Sequence, residues 1–286
     1  MHTLLRTLVT LVIVALAAAA GWWLWHYYLY TPWTRDGRVR AEIITVAPDV
    51  SGRVVALDVA DNQLVDQGQT LFQIDPSRYQ TAVDKAEAVM EQREAELELA
   101  RHEASRRNRL GRAAISAEGQ ETSRINSRVA AATLAQAQSE LASAQLDLER
   151  TTVKAPVAGH VLNLQLSEGN YTSAGKPALA LVAADSYYVT GYFEETKMPR
   201  VNVGDHARIN LMGAEHELDG HVESIGHAIA DPNTAPNDQL LPKVQPTFSW
   251  VRLAQRIPVH IALDDVPDNA PLSAGMTASV HIEPAP

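Results

Sequence analysis

Two stretches decide how this chain folds: VAPDVSGRVVALDVADNQLVDQGQTLFQI at residues 46–74 and VKAPVAGHVLNLQLSEGNYTSAGKPALALV at residues 153–182. Both alternate short runs of Val, Leu and Ile with turn residues, the pattern of short strands in a small antiparallel unit. Their punctuation superimposes. Gly52 is followed ten residues on by Asn62 and sixteen on by Gly68; Gly159 is followed ten on by Gly169 and sixteen on by Gly175. Asn and Gly tolerate positive φ, so equal offsets imply the same turns at the same places in two copies of one motif. Pro48 and Pro156, one residue out of step, precede the two copies.

The residues between the copies have a different texture. Asp75-Pro76 is a helix start, because Asp can accept from the first free amides and Pro is tolerated at the first helical position. Neither Gly nor Pro occurs from Ser77 to Leu110 or from Gln120 to Ala155. Tyr79, Val83, Ala86, Met90, Arg93, Leu97, Ala100 and Ala104 alternate spacings of four and three, as do Ala130, Leu134, Ala137, Leu141, Ala144 and Leu148. These are two coiled-coil seams. The break GRAAISAEG, Gly111 to Gly119, carries Ser116 as a candidate cap for the second helix, so the helices fold back antiparallel with arms of roughly 50 Å. An ordinary pair of core helices is the alternative; dense charge outside the seams leaves no broad third face to bury. If the half-motifs close into one β-sandwich, the hairpin is an insertion whose ends leave and re-enter side by side.

Residues 7–29 contain no Asp, Glu, Lys or Arg, and Leu8 to Trp25 would reach about 27 Å as a helix. A cleaved signal peptide, with Arg6 as its charged region and Ala18-Ala19-Ala20 as its cleavage site, is the competing reading. Trp22, Trp23, Trp25, Trp33, Tyr27, Tyr28 and Tyr30 form an interfacial aromatic belt, which favours an uncleaved single-pass anchor. Arg6 on one side and Arg35, Arg38 and Arg40 on the other leave its orientation open. Beyond Asp185, strand-like runs with Gly, Asp and Pro between them read as a small β-barrel, and 231–246, with four prolines and no periodicity, as a long loop.

The fold class is therefore α+β, an elongated modular chain. Its divisions are a tail (1–6), a transmembrane anchor (7–29), a membrane-proximal segment (30–43), a sandwich from 44–75 and 152–184, a hairpin at 76–151, and a barrel with membrane-proximal part at 185–286. Composition narrows the function. The apolar fraction of 46% with 20% charged residues is globular, and zero cysteines exclude disulfides, Cys-ligated zinc and a thiol nucleophile. A formal charge of −10 argues against nucleic acid. No G-x-S-x-G, phosphate-binding glycine loop or H-E-x-x-H occurs, and His216-Glu217 with His221 has one residue too many for two imidazoles on one helical face. His206, His216, His221 and His227 lack acidic or Cys partners at ligand spacing, and Asp264-Asp265 reads as turn chemistry. No enzyme, cofactor or metal is expected.

The order of anchor, half-motif, hairpin, half-motif and barrel resembles the periplasmic adaptors of tripartite efflux and secretion systems, the membrane fusion protein (HlyD-like) family, whose sandwich is lipoyl-like. More narrowly, PWTRDGR (32–38), APDVSG (47–52), DNQLVDQGQTLFQID (61–75), RRNRLG (106–111), LDLERT (146–151), EETK (194–197) and WVRLAQRIPV (250–259) are similar to the adaptors of p-hydroxybenzoic acid efflux pumps. The resemblance implies a cytoplasmic N-terminus in the inner membrane with the bulk of the chain periplasmic. It implies an inner-membrane transporter and a TolC-type outer-membrane channel as partners, a ring of six copies, and aromatic carboxylic acids as cargo. It also implies that an Arg, a Leu and a Ser at the hairpin tip contact the channel; the counterparts here are Arg106, Leu110 and Ser116, with the spacing one residue off and Arg107 or Arg109 able to take the Arg role.

From the residues alone, Arg106, Arg107, Arg109 and Arg112 cluster at the tip of an acidic chain, offering fork-shaped donors to a partner or forming a solvated helix end. A lipoyl carrier role would need a modified Lys between the half-motifs, and Lys154 instead re-enters a strand. The alternatives are an adaptor of a multidrug-efflux or protein-secretion system, or a membrane-tethered coiled-coil scaffold without a transport role.

Overall fold

Asn62, Gly68, Gly169 and Gly175 all adopt positive φ, at 63°, 83°, 85° and 74°, so the equal offsets do mark equivalent turns. The structure, a computed structural model, describes residues 2–110, 116–213, 217–229, 254–266 and 272–283, with side chains in the first helix at positions 6 and 10–25. In chain order the elements are α1 (His2–Tyr30), β1 (Trp33–Arg40), β2 (Ile43–Val46), β3 (Gly52–Leu57), β4 (Leu64–Val65) and β5 (Thr70–Ile74). The helices α2 (Ser77–Leu110) and α3 (Ala117–Glu149) follow, then β6 (Thr152–Lys154), β7 (Gly159–Leu162), β8 (Tyr171–Thr172) and β9 (Leu179–Ala183). The last stretch contains β10 (Tyr188–Glu194), a 3-10 turn (Met198–Arg200), β11 (His206–Leu211), β12 (Glu217–Ile225), β13 (Arg256–Leu263) and β14 (Thr277–Glu283). The chain divides into two units, 43–184 and 1–42 with 185–286.

In the first unit two four-stranded sheets run β2-β9-β7-β4 and β6-β5-β3-β8, so each draws strands from both half-motifs. Exchanging the halves element for element converts one order into the other. The backbone pairing repeats likewise. Asn62 N donates to Val161 O and Gly169 N to Val54 O, both at 2.8 Å; Gly68 N donates to Ala155 O and Gly175 N to Pro48 O, at 2.8 and 2.9 Å. The counterpart of Pro48 is therefore Ala155, which accounts for the proline that is out of step. Val46, Val54, Val65, Phe72, Ile74, Val161 and Leu181 share one buried core between the sheets.

The hairpin leaves this core at one point. Gln73 pairs with Thr152, and Ile74 N donates to Thr151 O at 2.8 Å, so the strand before α2 lies beside the strand after α3. Asp75 accepts at Oδ1 from Ser77 N (3.0 Å) and Ser77 Oγ (2.6 Å), closing the start of α2 and holding its carboxyl below the usual carboxylate range. Tyr79 belongs to the sandwich core, and its hydroxyl donates to Ser51 O at 2.7 Å. Along α2 and α3 every seam position named from the sequence is buried or half-buried, with Tyr79, Val83, Leu97 and Ala137 the most enclosed.

The second unit is a closed six-stranded barrel, ordered β1-β10-β13-β12-β11-β14. Alternation places Ala207, Ile209 and Leu211 of β11, and Ala278, Val280 and Ile282 of β14, in its core. The strand-like runs beyond Asp185 supply five of these strands. The sixth, β1, comes from residues 30–43, assigned from sequence to a membrane-proximal segment. Its inward positions include Thr34, Gly37 and Val39, too small and too polar to register as apolar alternation. Gly37 is needed there, because a Cβ would lie 2.7 Å from Ala278 O.

The expected transmembrane span over 7–29 coincides with the backbone helix α1, but it is not supported: among the described residues no helix is long and apolar enough to cross a membrane. Residues 231–246, read as a long loop, lie outside the described residues.

Candidate functional site

The distal end of the hairpin concentrates charge by construction. The last turn of α2 carries Arg107 and Arg109, whose cations favour the carbonyl end of a helix. α3 begins at an N-cap, Ser116, with extended backbone (φ −63°, ψ 151°) and a hydroxyl that accepts from Gly119 N at 3.2 Å. The candidate Arg112 lies between them, in 111–115, outside the described residues.

The arginines at this end do different work. Arg107 is half-buried; its Nη1 donates to Ser123 Oγ at 2.8 Å, and Ser123 Oγ in turn donates to Gly119 O at 2.9 Å. That guanidinium bridges the end of α2 to the first turns of α3. Arg106 and Arg109 are exposed, Leu110 is 55% exposed, and Ser116 is exposed while capping α3. Arg106, Leu110 and Ser116 thus border the same turn with their surfaces open to solvent. Sequence reasoning missed the role of Arg107. The available signal was that the α3 seam continues by threes and fours from Ala130 back to Ser127 and Ser123, which places a hydroxyl opposite α2.

Elsewhere the site candidates separate. Lys154 is exposed at the end of β6. His221 and Asp264 do come together, Nδ1 to Oδ1 at 2.5 Å, so Asp264 is tied to β12 and is not only a turn residue. His206 lies 3.5 Å from Asp219. His216 lies outside the described residues, and among the described ones no group of three His, Cys, Asp or Glu could hold a metal ion.

Comparison with known proteins agrees with this frame. The model for the RND MFP, barrel-sandwich hybrid domain matches residues 42–184, and that for the AAEA-like beta-barrel domain matches residues 186–283. The uncharacterized protein YdhJ of Escherichia coli (strain K12) is 44% identical over 273 residues, 96% of each chain. Among solved structures, the membrane fusion protein Spr0693 from Streptococcus pneumoniae R6 superposes with a TM-score of 0.63 at 18% identity, over 88% of this chain and 98% of that one. A MacA-MexA chimeric protein containing the Pseudomonas aeruginosa MexA α-hairpin domain superposes at 0.59 and 18% identity, over 89% and 84%. At these identities the superpositions establish the fold, and the two domain models with the 44% relative establish the family. The chain belongs to the membrane fusion proteins, non-enzymatic periplasmic adaptors of the kind that serve RND-type efflux systems.

Proposed function

We propose that this adaptor joins an inner-membrane transporter to a TolC-type outer-membrane channel for the export of aromatic carboxylic acids such as p-hydroxybenzoate. Residues 7–29 form a single-pass anchor in the inner membrane, with 1–6 cytoplasmic and the rest periplasmic. The support for the anchor is the uncharged apolar run of 7–29 in the sequence. Copies associate into a ring, six by resemblance, around a path that keeps cargo out of the periplasm. The transporter supplies the energy.

The observation that carries this reading is the hairpin end. Arg106, Arg109 and Leu110 remain exposed where Arg107 is consumed in closure, and a cation pair beside an exposed Leu suits a partner presenting carbonyls, carboxylates and an apolar rim. The aromatic-acid assignment draws on the motifs quoted from the sequence.

The test is a photocrosslinking amino acid at position 116 in cell envelopes, with identification of the captured protein. An outer-membrane channel is the expected product, and Arg106→Glu with Leu110→Asp should lower its yield without lowering adaptor levels. Deleting 101–124 and rejoining the helices should abolish tolerance to p-hydroxybenzoate. Unchanged tolerance at normal expression would instead point to a scaffold. A second reading, with drugs as cargo, is favoured by the RND character of the sandwich match, and drug tolerance in the same deletion separates the two.

A further inference from the structure

Three of the sequence motifs noted above meet in the barrel unit. PWTRDGR opens β1, EETK ends β10 and enters the 3-10 turn, and WVRLAQRIPV supplies Arg256 at the start of β13. They line one open cleft of about 510 Å³, within the range of about 300–1,000 Å³ typical of small-molecule sites. Trp33 and Tyr192, both half-buried, give it apolar walls.

The charges in this cleft do not cancel locally. Asp36 is engaged by Arg256. Glu194 is exposed at the end of β10. Lys197 is only 9% exposed, and its Nζ donates to Trp33 O at 3.0 Å while lying 4.8 Å from the centre of the Trp33 ring. The Arg35 guanidinium lies 5.4 Å from the same centre. Among the described residues neither Lys197 nor Arg35 forms an ion pair with a carboxylate. A buried ammonium has three N–H donors, and one carbonyl satisfies one of them. Lys197 lines the open cleft, where its remaining N–H donors can be offered to an anion.

We infer that this cleft binds a small aromatic carboxylate, the carboxylate received by Lys197 and Arg35 and the ring lying against Trp33 and Tyr192. The cation pair beside aromatic walls calls for a planar organic anion. The choice of an aromatic acid rests on the cargo class proposed above. The adaptor would then contact its cargo directly.

The experiment is calorimetric titration of the full-length protein in detergent with 4-hydroxybenzoate, 4-hydroxybenzamide and inorganic phosphate. The acid should bind about tenfold or more tightly than the amide or phosphate. Arg35→Gln and Lys197→Met should each weaken it by about tenfold or more, the scale of one charge-assisted hydrogen bond. Lys197→Arg, which keeps the charge but not the shape, should retain more of the affinity than Lys197→Met. Arg35 is exposed, so Arg35→Gln decides the matter if Lys197→Met fails to fold. Absence of saturable binding up to about 10 mM, equal binding of the amide or phosphate, or unchanged affinity in Arg35→Gln overturns the site. A deletion strain that loses acid tolerance although the protein binds no acid would leave the export reading standing and remove the site. Specific binding with unaltered tolerance would do the reverse.

Discussion

A methyl group on Gly159 would meet Val182 O at 2.1 Å, whereas one on its repeat counterpart Gly52 would meet Ile74 Cγ2 at 2.5 Å. Backbone in β9 cannot step aside, and Ile74 Cγ2, fixed at the branch of a fully buried side chain, can yield only if that side chain changes χ1 within the core. Gly159→Ala and Gly52→Ala should therefore each cost about 1–3 kcal/mol, Gly159→Ala the more, read as the drop in urea midpoint multiplied by a common slope. Gly68 faces open space at φ 83°, so Gly68→Ala should cost about 1–2 kcal/mol from backbone alone. Asp75 sets a pH dependence at the same scale. Its carboxyl is held low first by the Ser77 hydroxyl and then by the Ser77 amide. A folded pKa below the unfolded one gives stability that is present above the unfolded value, about 3.9, and lost as pH falls through the folded value. Wild type should be more stable than Asp75→Ala at pH 7, with the gap narrowing as pH falls below the unfolded value in paired denaturant titrations; a gap that stays constant through that fall would show that the charge is irrelevant to the cap.

The hairpin shows what element-level patterning can and cannot carry. Seam positions alternating by three and four are legible because Tyr, Val, Leu and Ala are apolar. The seam's last turns are not, because Ser127 and Ser123 hold the same stripe with hydroxyls. Ser123 is buried with its hydroxyl accepting from Arg107, a pairing across the turn that no spacing rule on one helix reveals. Removing either partner should loosen the end of the hairpin and leave its base intact. Arg107→Ala and Ser123→Ala should each raise amide exchange in 104–110 and 119–125 by about threefold to tenfold, equivalent to roughly 0.5–1.5 kcal/mol. Their double mutant should be less than additive. Arg106→Ala, one residue away and exposed, should leave the exchange unchanged. β1 was hidden for a related reason: a strand facing inward with Thr34, Gly37 and Val39 has no apolar rhythm, so its place is set by the gap it fills. The half-motif repeat was fully legible because positive φ restricts residue choice. The exposed tip was legible only as charge, because a docking surface leaves no intramolecular constraint on its residues.

For the whole molecule, discontinuity is the governing fact. The chain crosses between its units at 42–43 and again at 184–185, so the unit that carries the hairpin is continuous and the barrel is not. Residues 43–184 contain the full sandwich core and both helices, and expressed alone they should unfold in one cooperative transition near that of the same unit in the intact chain. The barrel should behave otherwise. β1 bonds to β10 along Gly37–Arg40 and to β14 along Trp33–Arg38, the two strands that would be left as edges without it. A 185–286 fragment would expose both of those unpaired strands together with the apolar interior around Val189, Phe193 and Val280, and should aggregate or remain unfolded. Supplying residues 31–42, either fused ahead of 185 through a short Gly/Ser linker or added as a peptide, should restore a monomeric β-rich fold by circular dichroism and size-exclusion chromatography. The same peptide carrying Gly37→Val should not, because its Cβ would collide with Ala278 O at 2.7 Å. A soluble, cooperatively folded 185–286 fragment lacking that strand would mean that closure is not what holds the barrel together.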